Sequence, residues 1–115
     1  MAYNTGDVIL VPFPYRDRLA EKTRPAVVLS SISFHQQGDV IVAAVTSQAP
    51  RFSTDLPLQD WQSAGLQFPS TVRMLIATMS TDRIVLKIGQ LSAIDLEATR
   101  HRFQQVFQKL LSVTP

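Results

Sequence analysis

No cysteine occurs anywhere in the 115 residues. Disulfides and thiolate zinc sites are therefore both excluded, and secretion gains no support. The only histidines, His35 and His101, have no carboxylates around them at metal-ligand spacing. The four glycines form neither a P-loop nor a dinucleotide fingerprint. No nucleophile-elbow motif surrounds any serine. No run approaches the ~20 apolar residues of a membrane helix, and the N-terminus lacks a basic segment leading into an uninterrupted apolar stretch. The expectation is one cytoplasmic domain that works without a membrane, a metal or another cofactor.

The composition is that of a folded chain, with 45% hydrophobic and 17% charged residues and enough length for a real core. The formal net charge is only +2, so its placement matters more than its size. Between residues 16 and 24, Arg16, Arg18, Lys22 and Arg24 stand against Asp17 and Glu21, an excess equal to that of the whole chain. A basic loop of this kind suits an anionic partner such as RNA. A solvated loop kept soluble by mixed charges has the same composition.

Apolar, β-branched runs mark the strands. Val8 to Phe13 is apolar on both faces, which places it inside a small barrel or under a helix or a second subunit. A polar loop from Tyr15 to Thr23 precedes a second strand, Pro25 to Ser31. Residues 33–38 then lead to a third strand over residues 40–45. Residues 47–68 show no convincing strand, only a helical turn at Asp60 to Ala64 stopped by Gly65. Extended segments return at Pro69 to Ile76 and at Ile84 to Ile88, separated by Asp82. Ser92 opens a terminal helix, with Asp95 completing an approximate capping box. Leu96, Thr99, Phe103, Val106, Phe107 and Leu110 give that helix one apolar stripe toward the barrel. The fold class is mainly β with α, a small, curved, SH3-like barrel with a C-terminal helix.

If the second and third strands pair antiparallel, Arg24 lies near Thr46 and Ser47. A guanidinium beside two hydroxyls makes a phosphate-handling site. The alternatives are a surface arginine paired with Glu21 or Asp17, and strand-end turn formers at Thr46 and Ser47. Arg73 is either a second phosphate contact or an exposed strand residue. Trp61 is a lid over the core or a base-stacking platform.

Three blocks in order, Gly6-Asp7-Val8-Ile9-Leu10-Val11-Pro12-Phe13, Thr23-Arg24-Pro25-Ala26-Val27-Val28-Leu29-Ser30 and Ala44-Val45-Thr46-Ser47, resemble the MazF/PemK-like toxins of bacterial type II toxin–antitoxin systems. Pro69-Ser70-Thr71-Val72-Arg73 and Ile88-Gly89-Gln90-Leu91-Ser92 extend the likeness over nearly the whole chain. The resemblance implies a CcdB/MazF-like barrel and a homodimer. It also implies a cognate antitoxin with a disordered acidic tail, which shares DNA binding with the toxin.

The implied activity is metal-independent endoribonuclease cleavage of single-stranded RNA. The ribose 2′-hydroxyl attacks the phosphate, leaving a 2′,3′-cyclic phosphate and a 5′-hydroxyl. It puts the catalytic arginine and threonine on Arg24 and Thr46. Ser47, Gln48, Arg16, Arg18, Lys22 and Arg73 are candidate RNA contacts, and Glu21 is a candidate acid or base. Met74-Leu75-Ile76 departs from the polar residues that relatives place after the Val-Arg pair. Two other expectations share the fold, a gyrase-poisoning protein like CcdB and a degenerate barrel that only binds RNA or antitoxin.

Overall fold

The computed structural model describes residues 2–14 and 22–112. The strands are β1 (Asp7–Phe13), β2 (Lys22–Val28), β3 (Asp39–Thr46), β4 (Leu56–Pro57), β5 (Thr71–Ser80) and β6 (Leu86–Gln90). They form one antiparallel sheet in the order β4-β5-β3-β2-β1-β6. Helix α1 (Ile32–His35) joins β2 to β3, and α2 (Ala93–Val106) and α3 (Gln108–Leu111) follow the sheet. The curved, mainly β architecture with a C-terminal helix is the one expected.

Alternation along the central strands builds two cores, one on each face of the sheet. Val8, Val27, Ala43 and Val45 join Leu56, Leu58, Leu66 and Leu91 on one side. Ile9, Val11, Phe13, Ala26, Val28, Val42 and Ala44 pack together on the other. In β1 and β2 every one of these apolar side chains is at most 1% exposed, and burial of each Val or Ile contributes roughly 1.5–3 kcal/mol. Curling of the sheet thus covers both faces of these strands within one chain. A second subunit is not needed for that purpose, so the two-faced pattern of β1 is no argument for a dimer.

β2 begins earlier than its hydrophobicity indicates. Lys22, Thr23 and Arg24 continue the ladder opposite Phe13, Pro12 and Val11, so Arg24 lies within the strand rather than at its mouth. On the other side, the β2–β3 ladder runs from Val28↔Val42 to Ala26↔Ala44. It stops at Pro25, which has no N–H to donate. Carried two residues further, the same register sets Arg24 opposite Thr46.

β5 pairs with β3 through a bulge. Ala43 lies opposite Ile76 but Val45 opposite Val72, so Arg73, Met74 and Leu75 fall in an irregularity, a device that re-aims side chains. Met74 and Ile76 pack against the first core and Leu75 against the second. The departure from the family pattern at these three residues is thus a matter of packing.

The turn at residues 60–65 forms as expected, with Ala64 N–H donating to Asp60 O and Gly65 N–H to Gln62 O. Gly65 has φ +84°, and a Cβ there would lie 2.0 Å from Ile88 O. Only bare backbone allows this turn to lie against β6. Trp61 packs on the first core, which is the lid reading.

The helix differs from its sequence pattern. Ser92 Oγ accepts from Asp95 N–H at 3.2 Å, but the Asp95 carboxylate does not close a capping box. It is buried and accepts from Gln59 N–H at 3.0 Å and Asp60 N–H at 2.8 Å, fastening the helix start to the loop. The residues buried in α2 are Asp95 and Thr99. The expected stripe is turned largely outward, with Leu96, Val106 and Leu110 exposed, and the helix breaks at Phe107 before α3.

Candidate nucleic-acid interface

Where the β2–β3 ladder ends, an open groove of about 710 Å³ begins. Arg24, Thr46, Ser47, Gln48 and Arg73 all line it, so the sheet gathers five sequence-expected site residues into one concavity. Lys22 is exposed at the start of β2, opposite Phe13, and lies outside the groove lining. Arg16, Arg18 and Glu21 lie outside the described residues.

Arg24 is half-buried, and no ion pair or hydrogen bond engages its guanidinium among the described residues. Five fixed donors are therefore available to an incoming anion. Thr46 Oγ1 accepts from Gln48 N–H at 3.2 Å, which leaves its own proton to donate elsewhere. Ser47 and Gln48 are exposed beside it.

Arg73 is differently placed. Its Nε and Nη2 donate to the two carboxylate oxygens of Asp55 at 3.3 and 3.1 Å, and Nη1 reaches Gln48 Oε1 at 3.5 Å. Asp55 also accepts from the backbone N–H groups of Arg51 and Phe52 at 2.8 and 3.2 Å. Burial pushes the Asp55 carboxyl up, but hydrogen bonds from Arg51 N–H, the Arg73 side chain and Phe52 N–H outweigh it and hold the group below its ordinary value. Arg73 thus spends most of its charge on a buried partner. Its main effect is to fix the 51–55 loop on β5, with any phosphate contact left to Nη1.

Sequence reasoning missed Arg51, Asp55, Gln67, Phe68 and Ser70, all drawn from the stretch without clear strands or its boundary. Apart from buried Asp55, each of these lines the groove. Their only sequence signal was an Arg-Phe pair at residues 51–52, in a stretch whose other charged residues are Asp55 and Asp60. The lining carries three arginines and no carboxylate among the described residues. Among the described residues, no three His, Cys, Asp or Glu side chains cluster as metal ligands, and no helix is long and apolar enough to cross a membrane.

His35 stands elsewhere. Its Nδ1 meets Tyr3 O at 3.0 Å and its Nε2 meets Ser30 Oγ at 2.6 Å, while Ser30 Oγ accepts from Ile41 N–H at 2.9 Å. These bonds tie α1 to the end of β2 and the start of β3. His101 is exposed on α2 beside Glu97, at 3.3 Å.

The fold has known counterparts. An endoribonuclease in complex with its cognate antitoxin, from a mycobacterial species, superposes with a TM-score of 0.73 over 93% of this chain and 94% of that one, at 16% identity. MazF from Deinococcus radiodurans gives 0.75 over 94% and 98%, at 17% identity. The Mycobacterium tuberculosis toxin MazF-mt6 gives 0.72 over 89% and 96%, at 22% identity. No curated protein matches significantly in sequence. The sequence model describing the PemK-like, MazF-like toxins of type II toxin–antitoxin systems matches residues 4–107. With that match spanning nearly the whole chain, the protein belongs to the PemK-like, MazF-like toxins of type II toxin–antitoxin systems.

Proposed function

We propose that this toxin is a metal-independent endoribonuclease that cuts single-stranded RNA in the groove between β2, β3 and the 65–70 segment. The observation that carries the reading is the Arg24 guanidinium, unengaged among the described residues and in register with Thr46, in a groove whose described lining holds three arginines and no carboxylate. Phosphate cleavage by a neighbouring 2′-hydroxyl needs little from the protein, because the nucleophile belongs to the substrate. The 2′-oxygen bonds to phosphorus as the bond to the 5′-oxygen breaks. The 2′-proton is lost, the 5′-oxygen gains a proton, and a 2′,3′-cyclic phosphate and 5′-hydroxyl result.

What remains for the enzyme is to place the phosphate and stabilise its developing charge. Arg24 offers a planar fork for two phosphate oxygens, and Thr46 a hydroxyl donor. Arginine is too basic to accept the 2′-proton at neutral pH, so Arg24 acts on charge and on the leaving oxygen. Asp55 is unsuited as the base, since both its oxygens are committed to internal donors. The test is incubation of the purified protein with a long single-stranded RNA in EDTA. Discrete fragments ending in cyclic phosphate are the expected result, and intact RNA would sink the reading.

The antitoxin is the natural competitor for the same groove. An acidic, disordered tail would meet the same arginines as the RNA backbone, and the mycobacterial endoribonuclease similar to this chain binds a cognate antitoxin. A homodimer is supported by the exposed apolar side chains Leu96, Val106, Leu110 and Leu111 on α2 and α3, with Leu110 79% exposed. A two-fold pairing that set the same helices of two chains together would cover these side chains on both. Light scattering is expected to give twice the 12.8 kDa chain mass. A monomer at micromolar concentration would remove the pairing.

A further inference from the structure

Among the described residues, Phe52 and Phe68 are the two aromatic side chains with large exposed apolar surface, 58% and 62%, and both belong to the groove region. Phe52 is already engaged, with the Arg51 guanidinium 5.5 Å and the Arg73 guanidinium 5.9 Å from its ring centroid. Phe68 lines the groove itself and has no ring or cation contact among the described residues. A bare phenyl ring in a polar, cationic concavity is unfavourable in water unless something covers it.

We infer that Phe68 is a base-stacking platform, holding one nucleobase of a single strand while Arg24 and Arg51 hold phosphates on either side. The inference rests on the RNA-cleavage reading above and adds to it the residue that receives a base. Three features favour a nucleobase over other occupants. The lining cations select a polyanion. A phenyl face stacks on any base without needing a hydrogen-bond match.

The third feature is that the backbone carrying the ring is held in place beforehand. Ser70 Oγ donates to Phe68 O at 2.6 Å, and Leu58 N–H donates to Ser70 O at 2.9 Å. Pro69 restricts Phe68 to extended conformations. On its other side Leu66 is buried, and its N–H donates to Trp61 O at 3.2 Å. With that backbone anchored, only the two side-chain torsions of Phe68 are left to order when a base lands on it. Gln67 lines the groove next to it, with an amide able to meet a base edge as donor or acceptor.

The test is affinity for two probes, measured by fluorescence anisotropy. One is a mixed-sequence single strand with 2′-fluoro riboses, which has no attacking hydroxyl. The other is an abasic deoxyribose-phosphate strand of the same length. Phe68→Ala is expected to bind the base-bearing strand roughly 5- to 150-fold more weakly than wild type, with Phe68→Tyr and Phe68→Trp close to wild type. On the abasic strand all four proteins should bind alike, through phosphate contacts alone. Equal affinity of Phe68→Ala and wild type for the base-bearing strand would overturn the inference and leave the ring to a protein partner. An equal loss on both strands would overturn it too, as would a wild type that binds neither. Failure of the cleavage reading shows separately, as uncut RNA in EDTA whichever way the Phe68 comparison falls.

Discussion

Arg24→Ala is expected to lower the cleavage rate by about 10²–10³ while leaving the protein folded. The stability side follows from what Arg24 does in the fold. Its guanidinium makes no ion pair or hydrogen bond among the described residues, and it stands on a strand whose ladder is made by backbone groups. Truncation there removes no internal partner, so the change in stability should stay within roughly 0.5 kcal/mol, as for other surface positions. The activity side follows from the chemistry. Charge builds on the phosphate oxygens as the 2′-oxygen attacks, and a fixed fork in a concave site stabilises it without reorganisation.

Arg24→Lys separates charge from geometry. A lysine restores the positive charge but gives a flexible point donor in place of a planar pair, so partial recovery is expected. The measurement is single-turnover cleavage of a long single-stranded RNA, alongside thermal melts of each variant. Near-wild-type turnover by a well-folded Arg24→Ala protein would remove Arg24 from the mechanism.

The sequence disclosed the parts of this site that sit on strong strands. The runs at residues 8–13 and 40–45 are β-branched and uninterrupted, so β1 and β3 were readable, and antiparallel pairing then brings Arg24 toward Thr46. β2 was misjudged at its start because Lys22, Thr23 and Arg24 have the composition of a loop. They are strand because β1 offers them partners across the ladder, a tertiary effect that local propensity does not carry. The bulge opposite Ala44 was hidden for the same reason, since the two extra residues of β5 leave no mark on one strand read alone.

The helix failed in a different way. Its apolar spacing is real, yet the hydrogen bonds that dock it come from the Asp95 carboxylate to the 59–60 backbone, and the α2 residue packed on the first core is Ala98. The helix does lie against β4 and β5, as its spacing indicated, but Leu96, Val106 and Leu110 of the stripe face outward. The groove wall at residues 51–70 was the least legible part. It is shaped by Asp55, a buried carboxylate whose partner Arg73 lies eighteen residues away.

Asp55 also carries the largest expected effect on stability. It is 3% exposed and accepts four hydrogen bonds, two from Arg73 and two from the backbone of Arg51 and Phe52. Asp55→Ala leaves the half-buried Arg73 guanidinium without its counter-charge and two backbone N–H groups without acceptors. Removing one partner of a buried pair costs about 3–5 kcal/mol, a large share of the roughly 5–15 kcal/mol that holds a domain together. Replacing both partners, as in Asp55→Ala with Arg73→Met, should cost less than Asp55→Ala alone, because no orphaned charge remains.

The pair also sets a pH dependence. The Asp55 pKa is held below its ordinary 3.8 in the folded protein, so the unfolded chain takes up this proton more readily than the folded one. The resulting stability is fully present above pH 3.8 and is lost as pH falls through the lower folded value. Asp55→Asn has no such group to titrate, so its deficit relative to wild type should shrink between pH 7 and pH 3. Urea unfolding at both pH values checks this directly. A loss below about 1 kcal/mol for Asp55→Ala, or an Asp55→Asn deficit that does not change with pH, would show that the 51–55 loop is held by its packing and not by this carboxylate.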